Sequence, residues 1–213
     1  MKVDIWSDVA CPWCFVGKRR FEKAVAEFAT DGGEVEVEYH AYELSPGTPA
    51  EVEGHHADHL AKHLGRSVDE AKQMLGQMTE LAATEGLAYD FDALRSTNTR
   101  LAHQALHLAK AHGLQAELKE RLLSAYFEQG RHVGRVEELA DLAAEVGLDR
   151  AEVVTALTDG TYESDVDADI AQAREYGISG VPFFVLDAKI GVSGAQSPEV
   201  FLSALRQAAG VTA

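Results

Sequence analysis

Hydrophobic and polar positions along this chain switch between a period of two and a helical period. Lys2–Trp6 (KVDIW) alternates and is rich in β-formers, which predicts a strand starting almost at the first residue. Phe15–Phe28 then repeats at helical spacing through Phe21, Val25 and Phe28, and Asp31-Gly32-Gly33 stops it. Glu34–Tyr42 (EVEVEYHAY) alternates strictly and predicts a second strand, after which ELSPGTP breaks the chain.

From about His55 to Tyr176 no stretch alternates. Ser67 with Glu70 forms a capping-box start for a helix running to Glu85, ended by Gly86. Helical patterns follow over Asn98–His112, Gln115–Gln129 and Arg135–Val146, closed by Gly113, Gly130 and Gly147. Asp149 with Glu152 caps a helix reaching Thr158, and Ser164–Tyr176 is another, stopped by Gly177. Strand character returns in Phe183–Leu186, with a turn at Asp187–Lys189 and a hairpin partner in Ile190–Ser193. Ser197-Pro198-Glu199 opens a last helix through Phe201, Leu202 and Leu205, with proline at its favoured first position. The order is β–α–β, a mostly helical block, then β–β–α. This predicts an α/β protein in which residues 1–50 and 177–213 form one discontinuous domain. Helix 164–176 flanks it at the junction, and residues 51–163 form an inserted all-helical domain.

Composition narrows the partners more than the fold. The chain has 213 residues, 46% hydrophobic and 25% charged, which is enough for a substantial core. Lys plus Arg number 19 against 35 Asp plus Glu, a net charge of −16. Nucleic-acid surfaces need clustered positive charge, so that class of partner is excluded. The opening MKVDIWSD has no apolar run of signal-peptide length, and no segment approaches a membrane span. These features point to a cytoplasmic protein without a membrane partner.

The two cysteines of the chain, Cys11 and Cys14, stand in one CPWC stretch directly after the first strand. A structural disulfide here closes a four-residue loop worth only about 2 kcal/mol, and cytosolic thiols are kept reduced. A structural zinc takes four ligands and finds only two thiols, so no metal is assigned. Redox chemistry fits best. Cys11 then lies at the start of the following helix, where unpaired N–H groups and the helix dipole favour a thiolate and a lowered pKa. Cys14, one turn on, is placed to resolve a mixed disulfide. Pro12 suits the first helical turn, and Trp13 offers a flat apolar surface for a substrate. Lys18, Arg19 and Arg20 read as an exposed helix face.

A second signal lies far along the chain in Gly177-Ile178-Ser179-Gly180-Val181-Pro182-Phe183-Phe184. A proline directly before a core strand donates no ladder hydrogen bond, which marks the position as special. Taken together, SDVACPWCFVGKRR, YHAYELSP, NTRLAHQALHLAK, AYFEQG, GISGVPFFV and SGAQ resemble the DsbA-like thioredoxin family, in its FrnE branch, over essentially the whole length. The resemblance implies a thioredoxin-like fold carrying a large inserted all-helical domain, and a dithiol–disulfide oxidoreductase or isomerase. In that reading Cys11 is the nucleophile, Cys14 the resolving thiol and Pro182 a cis-proline facing them, with Val181 binding extended substrate backbone. Asn98, Thr99 and His103 would face the cleft from the helical insert. No cofactor is implied beyond the dithiol itself, with glutathione or thioredoxin as exchange partners and a disulfide- or thiol-containing protein or small molecule as substrate.

Other positions admit two readings each. Thr99, His103 and His107 share a helical stripe, which ordinarily marks a solvated face. Ser193–Gln196 leave the last strand where they could floor a pocket. Asp8 is either a turn-forming carboxylate or a proton relay for Cys14. His55, His59 and His63 recur at i, i+4, i+8, a metal-capable spacing that an ordinary surface helix also explains. At the level of function, a glutathione-dependent isomerase or transferase of the kappa or hydroxychromene-carboxylate type shares the fold, and a redox-sensing peptide-binding chaperone is a non-enzymatic alternative.

Overall fold

The computed structural model describes residues 1–210. Strand β1 (Lys2–Ser7) leads into helix α1 (Pro12–Thr30) and strand β2 (Glu36–Ala41). A helical run follows: α2 (His56–Leu64), α3 (Val68–Thr84), α4 (Arg100–Ala111), α5 (Gln115–Gln129), α6 (Val136–Glu145), α7 (Arg150–Thr158) and α8 (Glu163–Glu175). Strands β3 (Phe183–Leu186) and β4 (Ile190–Ser193) and helix α9 (Pro198–Ala208) complete the chain. It divides into two units, Met1–Leu44 with Ser164–Ala213, and Ser45–Glu163. The first segment thus ends at Leu44, ahead of residue 50.

The first unit is a thioredoxin-like layer. Its sheet runs β2-β1-β3-β4, with β1 parallel to β2 and antiparallel to β3, and β3 antiparallel to β4. Ile5 pairs with Phe184 and Val3 with Leu186, so the pleat sends these side chains to one face. There they meet Phe21 and Phe28 of α1 and Phe201 and Leu205 of α9 in one apolar cluster. The Phe184 and Phe201 rings pack edge to face at 4.6 Å between centroids. The opposite face carries Trp6 and Val185, packed with Ala173 of α8 and Ile178. Two buried polar groups stitch this face. The Trp6 indole N–H donates to the Asp169 carbonyl at 3.1 Å, and the His40 ring stacks on Trp6 at 4.5 Å. His40 Nδ1 lies 2.7 Å from Asp169 Oδ1, and the other Asp169 oxygen accepts the Ala41 N–H at 2.7 Å.

The second unit is helical. Helices α2 and α3 pack together, and α4 packs on α5, α6 and α7. The capping box of α3 forms as the sequence indicates: Ser67 Oγ accepts the Glu70 N–H at 3.2 Å, and Glu70 accepts the Ser67 N–H at 2.9 Å. Tyr89, Phe91 and Phe127 build an aromatic cluster, with His56 stacked on Phe91 at 5.8 Å.

Candidate active site

Helix α1 begins earlier than periodicity indicates. Cys11 is its N-cap residue, in extended conformation, and Pro12 takes the first helical position. A cysteine is not a capping residue type and its side chain makes no cap hydrogen bond, so the local signal that marked the start was Pro12 rather than the cap. The Cys11 carbonyl accepts the Cys14 N–H at 3.0 Å, which brings both sulfurs into the first turn. Neither is in a disulfide, and each residue is only 3% exposed, while Trp13 between them is 44% exposed.

The ionisation of Cys11 departs from the sequence expectation. Its pKa is raised well above the ordinary cysteine range, first by the hydrogen bond with the Cys14 side chain, then by burial and by the charges of Cys14 and Asp8. Only the Cys14 backbone N–H pulls the other way. The helix end was legible from sequence; the burial of the sulfur and the acid behind it were not. Two thiols this close cannot both ionise cheaply, so their protons leave in two separate steps that belong to the pair rather than to either residue.

Asp8 is that acid, and it is also a turn former. One carboxylate oxygen accepts the Ala10 N–H at 3.3 Å and the other accepts the Leu44 N–H at 2.8 Å. The residue is buried, 1% exposed. It clasps the segment leading to Cys11 against the end of β2.

Residues 177–184 return to the same place. The Val181–Pro182 peptide bond is cis, and the Val181 carbonyl accepts a hydrogen bond from Cys11 Sγ at 3.5 Å. Pro182 is buried and Val181 half-buried. Gly194 donates its N–H to the Pro182 carbonyl at 2.8 Å, and Gln196 donates its side-chain amide to the Ser193 carbonyl at 2.7 Å. Cys11, Cys14, Pro12, Trp13, Asp8, Val181, Pro182 and the 193–196 segment all belong to the first unit.

The basic run after the cysteines is not the exposed face expected of it. Lys18 is buried and pairs with Glu22, the Arg19 guanidinium lies over the Phe15 ring at 4.9 Å, and Arg20 donates to the Ala195 carbonyl at 2.7 Å. Asn98 and His103 lie in the second unit. Asn98 donates to the Pro46 carbonyl at 3.2 Å and accepts the Arg100 N–H at 2.8 Å, which steadies the start of α4. Thr99, His103 and His107 are buried, not solvated, and the His107 ring stacks on Tyr162. His55, His59 and His63 do not gather into a metal-capable group: His59 is held by the Glu53 carbonyl at 2.7 Å. Among the described residues the group whose ligand atoms do converge is Asp4, Glu38 and His40, within 4.8 Å. The Lys2 ammonium already sits there, 2.9 Å from Asp4 and 2.8 Å from Glu38.

A sheet of this order, flanked by helices and carrying a paired thiol at the first turn of α1, defines a thioredoxin-fold dithiol protein. The family model for the DSBA-like thioredoxin domain matches residues 2–206, and the chain belongs to that family, whose members generally catalyse thiol–disulfide exchange. The uncharacterized protein YwbO of Bacillus subtilis (strain 168) is 30% identical over 207 residues, covering 95% of this chain and 94% of that one. The crystal structure of a probable DsbA oxidoreductase, SCO1869 from Streptomyces coelicolor, has a TM-score of 0.93 at 42% identity, covering 100% of this chain and 92% of its own. The cytosolic disulfide reductase DsbM from Pseudomonas aeruginosa, solved with GSH, shares the fold at a TM-score of 0.65 and 19% identity, over 97% of this chain and 98% of its own. Among the described residues, no helix is long and apolar enough to cross a membrane.

Proposed function

We propose that this protein is a cytoplasmic thiol–disulfide oxidoreductase that passes electrons to substrate disulfides through Cys11 and Cys14. Cys11 gives up its thiol proton and attacks one sulfur of the substrate disulfide, forming a mixed disulfide and releasing a substrate thiolate that takes up that proton. Cys14, losing its own proton, attacks the Cys11 sulfur, releases the second substrate thiol and leaves a Cys11–Cys14 disulfide. Two electrons move to the substrate, and glutathione or thioredoxin restores the dithiol. Val181 and Pro182 present backbone to the extended substrate, and Trp13 gives its side chains an apolar surface.

The observation that carries this reading is the placement of Cys11: first turn of α1, Cys14 one turn on, and the Val181 carbonyl 3.5 Å from its sulfur. The direction follows from charge. A strong oxidant owes its potential to a stabilised thiolate in the reduced form. Here the Cys14 hydrogen bond, burial and the Asp8 carboxylate disfavour that thiolate, so the stabilisation that makes a strong oxidant is lacking, which supports a reductant.

An equilibrium titration against glutathione, read by Trp13 fluorescence, tests this. The expected midpoint is about −270 mV or below, in the range of thioredoxin. A midpoint near −120 mV would make the protein an oxidant and overturn the direction. Replacing Cys14→Ser is expected to abolish turnover and trap mixed disulfides on Cys11. Turnover that survives that substitution would instead support glutathione-dependent isomerase or transferase chemistry.

A further inference from the structure

Helix α1 holds a glycine where its own stability favours almost anything else. Gly17 lies less than a turn beyond Cys14, inside the helix and buried. Glycine is the poorest helix former after proline, so the reason for it must lie outside α1. A Cβ at this position would stand 2.9 Å from Pro182 Cγ, 3.4 Å from Ala195 Cβ and 3.5 Å from Ala195 Cα. Neither neighbour can swing aside, one being a proline ring and the other backbone. Arg20, three residues further along the same helix face, donates to the Ala195 carbonyl at 2.7 Å. Gly194, next to Ala195, donates to the Pro182 carbonyl at 2.8 Å, and the Val181 carbonyl accepts from Cys11 Sγ at 3.5 Å. These contacts form one chain from the helix face to the sulfur.

We propose that Gly17 and Arg20 are positioning residues that fix how closely residues 181–182 approach Cys11. Gly17 leaves the space that Pro182 fills, and Arg20 anchors the 194–195 segment on which Pro182 rests. The catalytic meaning of this device rests on the dithiol reading above, but the first readout of its test does not.

The test compares Gly17→Ala, Arg20→Met and a control, Gly76→Ala in α3, where a Cβ meets nothing within 4 Å. The first readout is the pH profile of Cys11 alkylation in the reduced protein, which needs no turnover. Withdrawing the Val181 carbonyl removes an acceptor that stabilises the protonated thiol. The alkylation midpoint is therefore expected to fall by about half a pH unit in Gly17→Ala and in Arg20→Met. It stays at the wild-type value in Gly76→Ala. The second readout is steady-state reduction of a peptide disulfide, where KM is expected to rise more than kcat falls and kcat/KM to drop roughly tenfold or more. If Gly17→Ala does not fold, Arg20→Met decides alone. Wild-type profiles and wild-type KM in the folded variants would overturn the proposal. An inactive wild-type protein whose variants still shift the alkylation midpoint would overturn the dithiol reading and leave the positioning intact.

Discussion

At the scale of single residues, the cysteine pair was legible and its electrostatics were not. CPWC after a strand announces thiol chemistry by local spacing alone. Asp8 is three residues from Cys11 in sequence, yet its carboxylate acts on that thiol because both its oxygens are fixed by backbone N–H groups and water is excluded. Burial of this kind depends on residues 36 to 170 positions away, which no local pattern encodes. The signs give a direct consequence. Cys14 is the largest cause of the raised Cys11 pKa, so Cys14→Ala is expected to move the Cys11 alkylation midpoint to lower pH. Each pH unit of that fall speeds alkylation near pH 7 roughly tenfold. Asp8→Asn is expected to act in the same direction by a smaller factor, since its charge works through space. A midpoint unmoved in both variants would show that neither group faces the sulfur.

At the scale of elements, the helices with local punctuation were read most closely. Gln115–Gln129 carries a glycine stop and matches α5 residue for residue. Ser67 and Glu70 marked α3 because the capping box is a four-residue device complete in itself. Its contribution is measurable: Ser67→Ala is expected to cost about 1 kcal/mol in urea unfolding, whereas Ser67→Gly costs only a few tenths. No loss in Ser67→Ala would mean that the hydroxyl contributes nothing. The elements read least well are those whose exposure is decided from outside. The basic run of α1 looked solvated because Lys18, Arg19 and Arg20 are charged, but Ala195 and Phe15 give two of them partners. The Thr99–His107 stripe of α4 looked solvated for the same reason and is buried. Gly17 was the missed signal, since a glycine inside a helical pattern marks a close approach.

At the scale of the whole molecule, two histidines tie the two units to pH with opposite sign. Burial alone would lower the His40 pKa, but the Asp169 hydrogen bond and charge, with Asp4 and Glu38, outweigh it and raise the value. His40 therefore adds stability that is fully present below about pH 6.5 and is lost as pH rises through its raised value. His56 in the second unit is pushed down to about 4 by burial and by His59. It stays neutral when folded and is protonated when unfolded, so its contribution is present above about pH 6.5 and is lost as pH falls toward 4. Urea unfolding at pH 5 and pH 8 separates them. His40→Gln is expected to be more costly at pH 5 than at pH 8. His56→Phe, which keeps the stack on Phe91, is expected to be less costly at pH 5, by on the order of 1 kcal/mol given its partial contact with water. The same pH slope for both variants would contradict the assignment.

The discontinuity of the first unit bears on how the protein is made. Strand β1 sits inside the sheet, yet its antiparallel neighbour begins only at Phe183. During translation the two thiols leave the ribosome long before Val181, so for most of synthesis they lack the carbonyl that later covers one of them. The nascent chain thus presents both thiols before its own redox centre exists, and the reducing cytoplasm proposed above is what protects them through that interval.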